Sequence, residues 1–337
     1  MLTEDIEQLL QENESLLKEI HDRYIFITGG SGFFGTWLRY LFALSNRELG
    51  TTIKVTSLVR KIPEQFDDAE RFIPRDMKDF KFELGTYDFV IHAAQDQTSI
   101  YETNRSYAYN VNTQGTEQLY KWARRSCYKL MYVSSGAVYP ITQASPDFRI
   151  EDARRIPPAI ENDATSYAAS KIVGEWIVSE DNMPWQLDTV IVRPFTFFGP
   201  GVVNTKYAIV QFVSGARGEI PFFVIQPLTQ RSYMYPTDLV HWLLTILIRS
   251  NHGSHYNIGS SIPYQMSEVA KVIADVWESP PPLKTAAWQN HPITRYIPDT
   301  SKTAASMGLR VSVTLKEGLE RWKKYLTSYG VGFTSKG

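Results

Sequence analysis

At 337 residues and 43% hydrophobic content, the chain can bury a large core, either as one α/β domain or as a domain carrying a smaller lobe. Its 35 basic residues nearly balance its 36 acidic ones, which argues against nucleic acid or an anionic membrane as partner and points to small molecules. A single cysteine, Cys127, excludes an internal disulfide; with an acidic start and no long apolar run, the expectation is a cytoplasmic protein without a membrane span.

Residues 1–22 place Ile6, Leu10, Asn13, Leu17 and Ile20 at helical spacing, flanked by Leu9 and Leu16, and predict an amphipathic helix. Two heptads are short for an independent coiled coil, so packing against the main body is favoured over a dimer zipper. Tyr24 to Ile27 then reads as a buried strand and Phe33 to Ala43 as a helix, with Gly29, Gly30, Gly32 and Gly35 in the turn between them. Glycines let the backbone approach a ligand, while the free N–H groups and positive end of the new helix suit a pyrophosphate. Two dinucleotide spacings overlap here: Gly30, Gly32 and Gly35 fit one, and Gly29, Gly32 and Gly35 fit the other.

Thr52 to Val59 reads as the second strand and runs into Arg60 and Lys61, with no carboxylate before Glu64. A carboxylate here would hold ribose hydroxyls and an arginine would accommodate a 2′-phosphate, so Arg60 favours NADP over NAD. Phe72 and Ile73 form a short third strand, after which Asp76 and Met77 are placed to lie along an adenine. Tyr87 to Ile91 is a fourth strand leading to His92, Ala93 and Ala94, small residues that leave room for a ligand at the strand's carboxyl end. His92 reads as a histidine hydrogen-bonded in place, with a pH-active group as the alternative.

Ser106 to Arg125 predicts one long helix containing Asn112, Gly115 and Thr116, and Tyr128 to Val133 a fifth strand ending at Ser134 and Ser135. After a Pro-rich loop another helix begins at Tyr167, with Lys171 on the same face. An ammonium beside a phenol favours the phenolate, which makes Tyr167 a usable base, and the Ser135 hydroxyl can orient the same substrate oxygen.

Taken in order, the glycine turn, His-Ala-Ala, Ser-Ser and Tyr-x-x-x-Lys resemble the extended short-chain dehydrogenase/reductases of the nucleotide-sugar epimerase/dehydratase family, over roughly residues 23 to 327. The resemblance selects Gly29, Gly32 and Gly35, with Phe33 and Phe34 between the last two. It implies Ser135, Tyr167 and Lys171 as the catalytic set, with Asn112 supporting the lysine. NAD(P), with NADP favoured, would then be held by the glycine turn, Arg60, Asp76, Met77, Ala93, Ala94, Tyr167, Lys171 and Pro194.

Val192 to Pro200 resembles the family's R-x-x-N-V-Y-G-P segment, with Thr196 where the family has asparagine. Arg231 to Asp238 resembles R-D-F-x-x-V-x-D, and Arg295 to Asp299 the closing motif of the substrate lobe. These imply a nucleotide-sugar substrate held by Ser135, Gly136, Thr196, Arg231 and Arg295. Two departures stand out. The acidic pair of 4,6-dehydratases is replaced by Gly136 and Ala137, and the glycine-rich loop before Arg231 by an apolar stretch, Pro221 to Gln230. That stretch reads either as altered nucleotide recognition or as a differently packed strand.

The expected architecture is α/β: a Rossmann-type doubly wound parallel sheet with a smaller C-terminal substrate lobe. Residues 1–22 are a helical extension, 23–193 the dinucleotide-binding domain, and 194–330 mainly the substrate lobe, with 236–250 packing back on the sheet. The resemblance also implies a homodimer through the helices around 106–125 and 166–180. The expected activity is a nucleotide-sugar epimerase acting through a 4-keto intermediate, with an NADPH-dependent 4-ketoreductase as alternative. A 4,6-dehydratase ranks below both for want of the acidic pair, a decarboxylase also ranks lower, and no metal ligands are assigned. A non-catalytic NAD(P)-sensing protein also ranks lower, because the Ser/Tyr/Lys set is intact.

Overall fold

The computed structural model describes residues 2–64, 70–82, 85–95, 104–139, 163–179, 187–283 and 293–330. The Pro-rich loop before Tyr167 lies outside the described residues. Seven parallel strands form the main sheet: β1 (Tyr24–Thr28), β2 (Lys54–Val59), β3 (Arg71–Pro74), β4 (Tyr87–His92), β5 (Cys127–Val133), β6 (Asp188–Pro194) and β8 (Ser254–Ile258). Their order is β3-β2-β1-β4-β5-β6-β8, so the winding reverses between β1 and β4. A crevice opens at such a reversal, outside the carboxyl ends of the strands. The glycine turn, Ala93 and Ser135 all follow directly or within two residues on those ends.

Alternation along the strands divides two apolar faces. Ile25, Ile27, Ile91, Met131, Val190 and Val192 face the helices α2 (Phe33–Glu48) and α7 (Pro236–Arg249). Phe26, Val90, Leu130 and Ile191 face α4 (Thr116–Ser126) and α5 (Asp163–Ser179) on the other side. Helix α7 brings Leu239, Val240, Leu243 and Leu247 onto the sheet from within the C-terminal half of the chain. α1 (Thr3–Glu19) adds a further layer over α2 and α7.

The buried stripe of α1 is rotated from the sequence pattern. Leu9, Asn13, Leu16 and Leu17 are buried together with Asp5, whereas Ile6 and Leu10 are only partly covered. A buried carboxylate needs compensation. Asp5 accepts from Arg321 Nη1 and from the Tyr235 hydroxyl, both at 3.0 Å, and Asn13 Oδ1 meets His241 Nδ1 at 3.0 Å. Polar partners supplied from far along the chain thus decide which face turns inward.

The predicted single helix over Ser106 to Arg125 is interrupted. α3 (Arg105–Asn110) passes into a π-turn, Val111–Gly115, before α4 resumes the path. Thr113 and Thr116 donate their hydroxyls back to the carbonyls of Tyr109 and Asn112, each at 2.8 Å, a local competition that bends helices. A Cβ on Gly115 would lie 2.9 Å from Met77 Cγ, so glycine lets this wider turn press against the core. π-turns of this kind re-aim side chains, and Asn112 lies inside this one.

The second unit holds a small sheet ordered β10-β7-β9, from β7 (Gln230–Arg231), β9 (Tyr264–Gln265) and β10 (Arg295–Tyr296). Around it pack α6 (Ala208–Ala216), α8 (Met266–Trp277) and α10 (Leu315–Tyr329), while α9 (Ser301–Met307) lies against β8 and α7. Of the apolar stretch Pro221 to Gln230, only Gln230 enters a strand; Phe222 and Val224 are buried, and Phe223, Ile225 and Leu228 are exposed.

Candidate active site

The turn after β1 is built without room for side chains. Gly29 has φ +74°, and a Cβ there would lie 2.8 Å from the Ala93 carbonyl carbon and the Ala94 nitrogen. A Cβ on Gly35 would lie 2.5 Å from the Gly29 oxygen. Gly29, Gly32 and Gly35 therefore bring the turn, the start of α2 and the end of β4 into contact. No side chain caps α2, whose N-cap is Gly32. Its first N–H groups have no partner within the helix and face the crevice as an anion seat. This cradle fits the diphosphate of a dinucleotide.

At the start of α2 the rings of Phe33 and Phe34 are both engaged with Phe197. The Phe33 ring stacks on Phe197 with centroids 4.4 Å apart, and Phe34 meets Phe197 edge-on at 5.2 Å. Trp37 Nε1 donates to the Pro200 carbonyl at 3.0 Å, which anchors the segment after β6 to α2. Beneath the turn, Arg39 is 1% exposed. Its Nη1 donates to the Gly30 carbonyl at 3.2 Å, its Nε donates to Glu70, and its guanidinium lies 4.6 Å from the Phe72 ring centroid. Arg60 stands exposed just beyond β2. Asp76 accepts from the Tyr107 hydroxyl, and the Met77 side chain is buried against Gly115, so an adenine contact from Met77 would fall to its backbone.

β4 ends on His92, buried and held on both ring nitrogens. Nδ1 lies 2.6 Å from Thr28 Oγ1 and Nε2 lies 2.9 Å from Thr116 Oγ1. Thr116 gives its hydroxyl proton to the Asn112 carbonyl, so it accepts from His92, which places the imidazole proton on Nε2. Thr28 then donates to Nδ1 and accepts from the Ala94 N–H at 3.1 Å. Burial first, then the charge of Lys171, pushes the His92 pKa down to about 3. His92 is neutral in the fold but gains a proton in the unfolded chain below about pH 6.5. Stability should therefore decline as pH falls from about 6.5 toward 3, by about 1.4 kcal/mol per pH unit from this group once the unfolded histidine is charged. Urea unfolding of the native protein and His92→Gln at pH 7, 6 and 5 checks this; equal pH slopes for the two would refute it.

The Val133 carbonyl, two residues before Ser135, is the anchor for Lys171 and Gln95. Lys171, fully buried, donates to it at 2.9 Å and lies 4.6 Å from the Tyr132 ring centroid. Gln95 Nε2 donates to the same carbonyl, and Gln95 Oε1 accepts from the Tyr167 hydroxyl at 3.2 Å. Asn112 Nδ2 donates to Ser170 Oγ at 3.1 Å, and Ser170 to the Tyr167 carbonyl at 2.8 Å, tying the π-turn to the helix that carries Tyr167. Burial holds the Lys171 ammonium well below the ordinary lysine range, opposed by the carboxylate of Glu175.

Ser135 opens the short 3-10 turn Gly136–Val138, and its Oγ accepts from the Ala137 N–H at 3.1 Å. Beside it stands the Tyr296 hydroxyl, packed over Gly136 and delivered by β10 from the second unit. Burial pushes the Tyr296 phenol up, and the proximity of Tyr167 adds to this. Tyr296 and Phe195 close the space over Gly136: a Cβ there would lie 2.5 Å from the Tyr296 hydroxyl and 2.8 Å from the Phe195 ring. In the small sheet Tyr296 pairs in register with Arg231, whose guanidinium lies 5.9 Å from the Tyr296 ring. Arg231 donates to Thr294 Oγ1 at 3.1 Å and neighbours Arg295 through the same pairing, while Pro194 ends β6 and Thr196 accepts from the Met234 N–H at 3.1 Å.

Gln95, Tyr296, Glu175 and Arg39 were not singled out in the sequence. Gln95 directly follows His-Ala-Ala and Tyr296 sits within Arg-Tyr-Ile-Pro-Asp, so each had a motif as signal. Cys127 has no part in the site; burial pushes its thiol up to about 12.

A glycine turn at the reversal of a parallel sheet, with a Tyr-x-x-x-Lys helix and a serine brought to the same crevice, defines an extended short-chain dehydrogenase/reductase. Residues 25–259 match the NAD dependent epimerase/dehydratase family, and the chain belongs to it. Among curated relatives, the dTDP-D-glucose 4,6-dehydratase of Mus musculus is 25% identical over 317 residues, spanning 88% of this chain and 86% of that protein. An epimerase of Methanothermobacter thermautotrophicus has the same fold, with TM-score 0.76, 21% identity, and coverage of 95% of this chain and 97% of that one. The UDP-glucuronic acid 4-epimerase of Bacillus cereus, solved with NAD and UDP-4-deoxy-4-fluoro-glucuronic acid, gives TM-score 0.75 at 19% identity, covering 91% and 99%. No helix among the described residues is long and apolar enough to cross a membrane.

Proposed function

We propose that the protein is a nucleotide-sugar epimerase that works through a 4-keto intermediate. The observation that carries this reading is the shared Val133 carbonyl, two residues before Ser135, which accepts from both Lys171 and Gln95 while Gln95 in turn accepts from the Tyr167 hydroxyl. Tyr167 takes the proton of the C4 hydroxyl while Ser135 holds that oxygen, and the Lys171 charge favours the phenolate. The bound dinucleotide supplies the hydride acceptor. Returning hydride to the opposite face of a rotated ketone completes epimerisation. Arg231 and Arg295 hold the substrate diphosphate, a match for forked donors, and Thr196 is tied through its carbonyl to Met234, three residues after Arg231.

The crowding over Gly136 supports epimerisation over 4,6-dehydration, although the mouse relative is a dehydratase. Dehydration needs a carboxyl group beside Ser135, and the fold offers Tyr296 and Phe195 in that space. A second reading, an NADPH-dependent 4-ketoreductase, is favoured by Arg60, because an exposed arginine after β2 suits a 2′-phosphate. Under either reading two copies pair through the helices around 106–125 and 166–180, where Tyr109 and Trp176 are exposed.

Denaturing the purified protein and identifying the released dinucleotide by mass spectrometry tests these readings. Close to one tightly held dinucleotide per chain is expected for an epimerase that regenerates its cofactor. An empty protein that binds NADPH and reduces a 4-keto nucleotide sugar would overturn the epimerase reading. NAD in place of NADP would overturn the role of Arg60.

A further inference from the structure

One turn beyond Lys171 on α5, Glu175 is buried and its carboxylate is fully engaged. It accepts from Ser134 Oγ at 2.5 Å, from Arg193 Nε at 2.8 Å and from Arg193 Nη2 at 2.6 Å. Such a forked pair fixes orientation as well as charge. The remaining arm of Arg193, Nη1, donates to the Tyr139 hydroxyl at 2.7 Å. Tyr139 in turn donates to Asn257 Oδ1 at 2.9 Å, and Asn257 Nδ2 donates to the Asp299 carbonyl at 3.1 Å.

Asp299 lies on the segment that begins with β10, and that segment returns Tyr296 to Ser135. The path is therefore a closed ring. It leaves the sheet at Ser134, passes behind the catalytic helix, crosses to the substrate lobe and comes back to the next residue, Ser135. Each side chain in it has a defined donor or acceptor role, so the loss of one leaves the next unsatisfied.

We propose that Glu175 and Arg193 are positioning residues: a charge-neutral buried pair that sets Ser135 and the Tyr296 segment in register and leaves Lys171 with one balancing carboxylate. The inference rests on the reading of Lys171 as the residue that tunes Tyr167. The charged and titratable groups beside Lys171 are Tyr167 and Glu175 on its own helix, Tyr132 on β5 and His92 on β4, and Arg193 on β6 joins them through its ion pair with Glu175. Among these Glu175 is the only carboxylate, and Arg193 is the charge it cancels.

The sign of each substitution follows. Glu175→Gln removes the carboxylate that balances Lys171 and leaves the Arg193 charge uncompensated, which disfavours the ammonium. Arg193→Met leaves the Glu175 charge uncompensated, which favours it. Removing both restores neutrality. A purely structural role would not make the two single substitutions move Lys171 in opposite directions.

The test follows the 13Cε resonance of Lys171 in the full-length protein labelled at lysine, identified by its loss in Lys171→Met, as a function of pH. Glu175→Gln should lower the Lys171 midpoint by about one pH unit and Arg193→Met should raise it by a similar amount. The double variant should return close to the native midpoint. Tyr139→Phe, which cuts the ring without changing charge, should leave the midpoint in place. Single variants that shift Lys171 in the same direction, or not at all, would overturn the proposal. Should Glu175→Gln not fold, a double variant titrating like Arg193→Met would overturn it equally. Failure of the underlying reading looks different: a native protein with no phenolate absorbance change that Tyr167→Phe removes would reject Tyr167 as base, with the Lys171 response to the pair still measured.

Discussion

Tyr167→Phe is expected to lower turnover by about 10²–10⁴-fold while leaving dinucleotide binding nearly unchanged. The substitution keeps the ring and removes one hydroxyl. That hydroxyl donates to Gln95, which stays anchored through its own amide to the Val133 carbonyl, so the crevice keeps its shape. Lys171 likewise keeps its bond to Val133. The loss therefore falls on proton transfer and not on the fold. Turnover on a nucleotide sugar, measured beside NAD(P)H titration of the same preparation, decides the matter. Undiminished turnover would assign the base elsewhere, and lost dinucleotide binding would make Tyr167 a cofactor anchor first.

The largest expected effect on stability comes from Arg39→Met. Arg39 and Glu70 form a buried ion pair, with side chains 2% and 7% exposed. Removing only the arginine takes away the cation that balances the Glu70 carboxylate in a low-dielectric site, a change that typically costs about 3–5 kcal/mol. It also withdraws the donor from the Gly30 carbonyl, so the glycine turn loses its support from below. Weaker dinucleotide binding should accompany the loss of stability. Adding Glu70→Leu should recover most of the stability, because paired removal leaves no buried charge, but not the support of Gly30. Denaturant unfolding of the two variants and the native protein measures both effects. A loss below about 1 kcal/mol for Arg39→Met would show that water reaches Glu70.

The parts of this molecule legible in the sequence are those whose signal is local. Tyr24 to Ile27 and Tyr87 to Ile91 are short apolar runs, the glycines mark the turn between strand and helix, and the order of motifs points to the family that residues 25–259 match. What escaped was delivered by distant chain. Arg39 lies on the buried face of a helix otherwise lined by Trp37, Leu38 and Leu41, and nothing nearby in sequence names Glu70 as the partner that allows it there. Tyr296 reaches Ser135 through a two-residue strand, too short for any periodic pattern. The π-turn at Val111–Gly115 is hidden for another reason. A helical pattern is tolerant of one extra residue per turn, and the cause lies in hydroxyl back-bonding and in Met77 pressing on Gly115.

The seating of α1 has a consequence for how the protein is made. Its neighbour α2 leaves the ribosome soon after it, but its other seat, α7, begins only at Pro236. The arginine that neutralises Asp5 lies 316 residues further along. At roughly 5–20 residues per second, synthesis leaves that carboxylate without its Arg321 partner for roughly 15–60 s. Over that interval Leu9, Leu17 and Ile20 have only part of their final cover. The nascent sheet must therefore assemble with this helix loosely attached, and closure of the outermost layer becomes a late event, timed by the arrival of α10.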